Sequence, residues 1–113
     1  MMQDWNSYRD SLLASVGDYA QQSPEAMRGI MALDNAAGKS GQLEPKMHEL
    51  IALAVAVTTR CDGCISVHTR KAVGHGASLA EISEALSVAI ALNAGAALTY
   101  SARVLEAHAQ LPK

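Results

Sequence analysis

Two cysteines, a histidine and a glutamate fall within one twenty-residue stretch, Glu49 to His68, which reads ELIALAVAVTTRCDGCISVH. Cys61 and Cys64 are separated by two residues, and His68 follows Cys64 by four. On a helix beginning near the cysteines, Cys64 and His68 share a face at i, i+4, which sets a base one turn from a thiol. A free thiol has a pKa of about 8.5 and is mostly protonated at neutral pH, whereas the thiolate is the reactive form. Three features here could raise the thiolate fraction. The amides of a helix N-terminus favour an anion at Cys64 or Cys61. His68 can accept the Cys64 proton, and Glu49 can orient His68 and stabilise its imidazolium, by the logic of nucleophile, base and orienter. The second cysteine matters after the first has reacted. A sulfenic acid formed from peroxide condenses with a neighbouring thiol to a disulfide, which forestalls over-oxidation. The sharpest reading of the stretch is a two-cysteine redox centre.

Other chemistries compete for the same residues. Two cysteines in a helical, alanine-rich chain can be small buried hydrophobes. Zinc could draw on Cys61, Cys64, His68 and either Glu49 or His75, although structural zinc sites usually take a second Cys/His pair from a distant segment and this chain has no other cysteine. Haem attachment needs histidine directly after the second cysteine, and Ile65 stands there. A thioredoxin fold needs β-α-β alternation, which is missing. His48, His75 and His108 lack a comparable setting and read as surface or loop residues.

The elements that must hold this stretch read as helices throughout. The 113 residues suit one domain, 1–113. Half are hydrophobic, with no phenylalanine. Alanine favours helix but fills little volume, so extra apolar area is expected from assembly into a homo-oligomer. A net charge of −2 argues against nucleic acid, and Arg70-Lys71 reads as a solvated helix face. No apolar run approaches the roughly 20 residues of a membrane span, and the N-terminus MMQDWNSYRD lacks the pattern of a signal peptide. A soluble, cytoplasmic protein is the expectation, and in that compartment paired cysteines are redox-active or metal-binding more often than structural.

In chain order, the spacing predicts a first helix over 4–20, capped by Asp4 and carrying Trp5, Tyr8, Leu12, Leu13, Val16 and Tyr19. Ser23 and Pro24 open a second, which runs to Ala37 and ends at the Gly38–Gly41 loop. The central helix spans about 44–60. Its run LIALAVAV is apolar without interruption, so all its faces should be covered, and a buried strand is the competing reading. Glu49 in that helix needs a partner or a job. A helix over 62–74 follows, capped by Asp62 or Cys61 and ended by Gly74. Ser78-Leu79-Ala80-Glu81 matches a capping box for the next. Asn93-Ala94-Gly95 reads as a break, after which a last helix covers 96–109. The fold class is all-α, about six short helices.

At Glu49, Cys61, Cys64 and His68 the sequence resembles the alkylhydroperoxidase D-like (AhpD-like) family, grouped with the carboxymuconolactone decarboxylases. That family's pattern is a glutamate, eleven residues, then Cys-x-x-Cys-x-x-x-His, and it matches here at all four positions and every spacing. The likeness covers roughly residues 25–110. It implies an all-helical bundle, commonly a homotrimer or homohexamer, and thiol-dependent alkylhydroperoxide reductase or disulfide oxidoreductase activity in antioxidant defence. By that resemblance Cys64 attacks the hydroperoxide, Cys61 resolves the sulfenic acid and donates a proton, and His68 with Glu49 forms the relay. An external dithiol or a protein disulfide would be the redox partner. No metal, flavin or haem is implied. One departure stands out: some members carry histidine immediately before the second cysteine, and this chain has Gly63. The alternatives are a lactone decarboxylase, whose branch does without the cysteine pair, and a non-catalytic helical module with a zinc-binding Cys/His site.

Overall fold

The computed structural model describes residues 2–113, and every regular element among them is an α-helix. The order is α1 (Trp5–Gln22), α2 (Pro24–Lys39), α3 (Pro45–Thr59), α4 (Asp62–Gly74) and α5 (Leu79–Ala109). The caps explain most of these boundaries. The Asp4 carboxylate accepts the Ser7 amide at 3.0 Å, and that bond holds its carboxyl below the usual range. Ser23 separates α1 from α2 without a side-chain bond, so Pro24 in the first turn and Glu25 beside it carry the start of α2. That helix runs to Lys39, two residues past the expected end. At α5 the capping box is complete: Glu81 N–H donates to the Ser78 hydroxyl at 3.0 Å, and Ser78 N–H to the Glu81 carboxylate at 2.9 Å.

The break expected at Asn93-Ala94-Gly95 is absent. Leu79–Ala109 is one helix of 31 residues, so five helices stand where about six were expected. Asn93 donates to the Ala89 carbonyl of its own helix at 2.7 Å and to the Thr58 hydroxyl of α3 at 2.9 Å. Its side chain is thus occupied in ways that leave the helix intact. Gly95 costs a helix only about 1 kcal/mol relative to alanine, and alanines flank it. Continuity also alters the hydropathy reading. As a single element, α5 is long and apolar enough to cross a membrane by length and composition, whereas the broken version contained no such run.

The core lies where α3, α4 and α5 meet. Leu50 and Leu53 of α3 pack with Ala72 of α4, Ala77 of the connecting turn and Ile82 of α5, and Ala85 and Leu86 close against them. α1 packs on α4 and α2. Small side chains at Ala72 and Ala77 let the helices approach, as the alanine content foretold. The uninterrupted apolar run of α3 is covered on one face only, however: Ile51 and Val55 remain 46% and 55% exposed. Along α5, Leu92, Leu98, Val104 and Leu105 are likewise bare. The chain extends over 59 × 38 × 38 Å with a radius of gyration of 18.7 Å, against roughly 13 Å for a compact domain of about 100 residues. A single copy leaves its apolar surface largely unburied.

Candidate active site

The site begins with the turn that joins α3 to α4. Arg60 closes α3 in the left-handed conformation, φ 56° and ψ 49°, which is unusual for a side chain other than glycine. Cys61 N–H then reaches back to the Ala56 carbonyl at 3.0 Å, a 6→1 bond that satisfies the helix end and reverses the chain sharply. This turn delivers Cys61 to the N-cap of α4. The sequence left Asp62 and Cys61 open for that role, and Cys61 takes it: its Sγ accepts the Cys64 amide at 3.1 Å. Cys61 and Cys64 are joined as a disulfide with their Cα atoms 5.2 Å apart, within the span such bonds require.

Glu49 has the partner its position demanded. Its Oε2 lies 2.6 Å from Nδ1 of His68, bridging the second turn of α3 to the second turn of α4. The contact is largely withdrawn from water, with the Glu49 side chain 13% and His68 25% exposed. A carboxylate on Nδ1 leaves Nε2 as the imidazole atom free for proton exchange. Since α4 begins at Asp62 and is regular, Cys64 and His68 stand one turn apart, about 5–6 Å between Cβ atoms by helix geometry. The two sulfurs are served differently. A backbone amide at the positive end of α4 points to Cys61, and His68, held by Glu49 of α3, lies on the same helix as Cys64, one turn on.

The helix α1 also reaches this region, which sequence spacing did not reveal. A Cβ placed on Gly63 would lie 2.8 Å from Cδ2 of Leu12. Glycine between the cysteines therefore leaves room for the Leu12 side chain of α1, which would have to move aside for a histidine there. From the same helix, Arg9 donates to the Ser66 carbonyl at 3.3 Å, in the turn after Cys64. Among the described residues no group of three or more His, Cys, Asp or Glu side chains is disposed to hold a metal ion. His75, offered as a zinc ligand, caps the far end of α4 and is exposed. His108 is exposed near the C-terminus, while His48 is partly buried, its ring beside Gly38.

Comparison with known proteins adds a family context. Residues 24–107, which span α2 to the end region of α5, match the carboxymuconolactone decarboxylase family. An uncharacterized protein of Haemophilus influenzae is 50% identical over 108 residues, covering 96% of each chain. The crystal structure of a carboxymuconolactone decarboxylase family protein from Legionella pneumophila gives a TM-score of 0.74 at 34% identity, over 96% of this chain and 97% of that one. A protein from Methanobacterium thermoautotrophicum gives a TM-score of 0.72 at 27% identity, over 79% of this chain and 97% of that one.

Proposed function

This chain belongs to the carboxymuconolactone decarboxylase family, and from that premise we propose that it is a two-cysteine hydroperoxide reductase acting in the cytoplasm. The observation that carries the reading is the 2.6 Å contact by which Glu49 of α3 holds His68 of α4, the helix that begins at the cysteine disulfide. In the reduced protein, His68 takes the proton of Cys64, and Glu49 stabilises the resulting imidazolium. The Cys64 thiolate attacks the terminal oxygen of a hydroperoxide: an S–O bond forms, the O–O bond breaks, and the alkoxide leaves as an alcohol after protonation. The sulfenic acid on Cys64 is then attacked by the Cys61 sulfur, forming the disulfide and releasing water. An external dithiol returns both cysteines to the thiol form by exchange, becoming a disulfide itself.

The lactone-decarboxylating branch of the family does without a cysteine pair, so Cys61 and Cys64 favour redox chemistry over decarboxylation. The exposed apolar faces of α3 and α5 suit assembly with further copies, and a homotrimer or homohexamer is the form proposed. The direct test is consumption of an alkyl hydroperoxide by the purified protein with dihydrolipoamide as reductant. Turnover dependent on both peroxide and dithiol supports the reading. Peroxide left untouched by the fully reduced protein would refute it.

A further inference from the structure

Between α1 and α4 runs an open groove of about 660 Å³, with Trp5, Ile65 and Val73 on its walls and Arg9, Thr69 and Arg70 among its lining. A second hollow of about 550 Å³ continues from it, shares Arg9 and Arg70, and adds Lys71. None of Glu49, Cys61, Cys64 or His68 lines either hollow. The lining joins apolar surface to positive charge, and that charge lacks a counterion. Neither Arg9 nor Arg70 forms an ion pair with a carboxylate among the described residues. Arg9 is held only by neutral oxygens, the Ser66 carbonyl at 3.3 Å and the Asn6 amide at 2.6 Å, and its Nε is shut off from solvent without an acceptor. A partly desolvated guanidinium lacking an anion is costly, in a chain whose overall charge is negative.

We infer that this groove binds a free single-chain amphipathic carboxylate, its head on Arg70 and Arg9 and its tail along Trp5, Ile65 and Val73. The volume falls in the range of small-molecule sites, about 300–1,000 Å³, and guanidinium groups match carboxylates with paired hydrogen bonds. This inference does not depend on the redox reading.

Trp5 is the only tryptophan in the chain, and it sits in the groove, so its fluorescence reports occupancy. The protein is titrated with submicellar decanoate, decanol and phosphatidylglycerol vesicles. Saturable change with decanoate, and none with decanol over the same concentrations, is the expected result. Arg70→Gln should weaken decanoate binding about tenfold, the loss of one charge-assisted hydrogen bond, whereas Arg70→Lys, which keeps the charge but not the paired donors, should lose less. Val73→Asp, on the exposed wall, should abolish binding by setting a charged, hydrated carboxylate against the apolar tail. Arg9 is left intact because it also holds the Ser66 carbonyl. An equal response to decanol, a response to vesicles alone, or no saturable change in the wild-type protein would each overturn the inference.

Discussion

Replacing Glu49 with glutamine isolates the charge in the Glu49–His68 contact while keeping the side chain's size and one carbonyl oxygen. The native contact is 2.6 Å long and both side chains are three-quarters or more withdrawn from water. A hydrogen bond to a charged group is worth about 1.5–3 kcal/mol. Glutamine can still accept from Nδ1, but it contributes no charge to offset the imidazolium formed when His68 takes the Cys64 proton. If the whole of that range is lost from the proton transfer, the rate falls roughly ten- to a hundredfold, at about 1.4 kcal/mol per factor of ten. The assay is alkylation of the reduced protein by iodoacetamide across pH, with the site of modification read by mass spectrometry. For Glu49→Gln the Cys64 profile should move to higher pH and its rate at neutral pH should fall by that factor, with little change in melting temperature. A Cys64 profile that coincided with the wild type would remove Glu49 from the relay.

Three further expectations test the frame around the site. Gly63→His should push the Leu12 side chain aside and so weaken the packing of α1 on α4, because even a Cβ at Gly63 falls 2.8 Å from the Leu12 Cδ2; faster amide exchange confined to Trp5–Gln22 measures this, and adding Leu12→Ala should partly reverse it. Arg60→Gly should raise stability by about 1 kcal/mol, since the left-handed conformation at φ 56° costs an ordinary residue roughly 1–2 kcal/mol, whereas Arg60→Val should lower it; denaturant midpoints distinguish the two. The Lys46–Glu81 pair, 2.8 Å apart, gives a pH signature. Hydrogen bonding to Lys46, then to the Ser78 amide, holds the Glu81 carboxyl down at about 2. A lowered folded value means that its contribution is fully present above the ordinary value of 4.5 and is lost as pH falls from there towards 2. Lys46 is raised by the same partner, so its share persists below 10.5 and disappears only at higher pH. Glu81→Gln should therefore flatten the acid limb of the stability profile between those two values.

Much of this arrangement is legible in the linear chain because local chemistry sets it. Asp4 and the Ser78–Glu81 box announce helix starts through bonds made within three residues, and spacing alone puts Cys64 and His68 on one face of α4. Glu49 was conspicuous as a carboxylate in an apolar helix, and His68 answers it across 19 positions. The misreading at Asn93 came from treating a turn-forming residue by its type. Its amide is committed to Ala89 and Thr58, and the second of these contacts is invisible in the local pattern. What α1 does near the cysteines was equally hidden. The Arg9–Ser66 bond spans 57 positions, and no periodicity signals which side chain will oppose Gly63. The apolar run of α3 promised cover on every face, yet one chain covers only part of it, leaving Ile51 and Val55 exposed.

The proposed division of labour between the two sulfurs is open to one direct measurement. An amide at the head of α4 favours charge on Cys61, whereas the attack is proposed for Cys64 because His68 lies one turn from it. Reduced Cys61→Ser and Cys64→Ser proteins are each given one equivalent of alkyl hydroperoxide in the presence of a sulfenic-acid trap, and the adducts are mapped by mass spectrometry. Trapped sulfenic acid on Cys64 in Cys61→Ser, with no reaction in Cys64→Ser, is the predicted result. An adduct on Cys61 in Cys64→Ser, with Cys64 inert in the other variant, would contradict it.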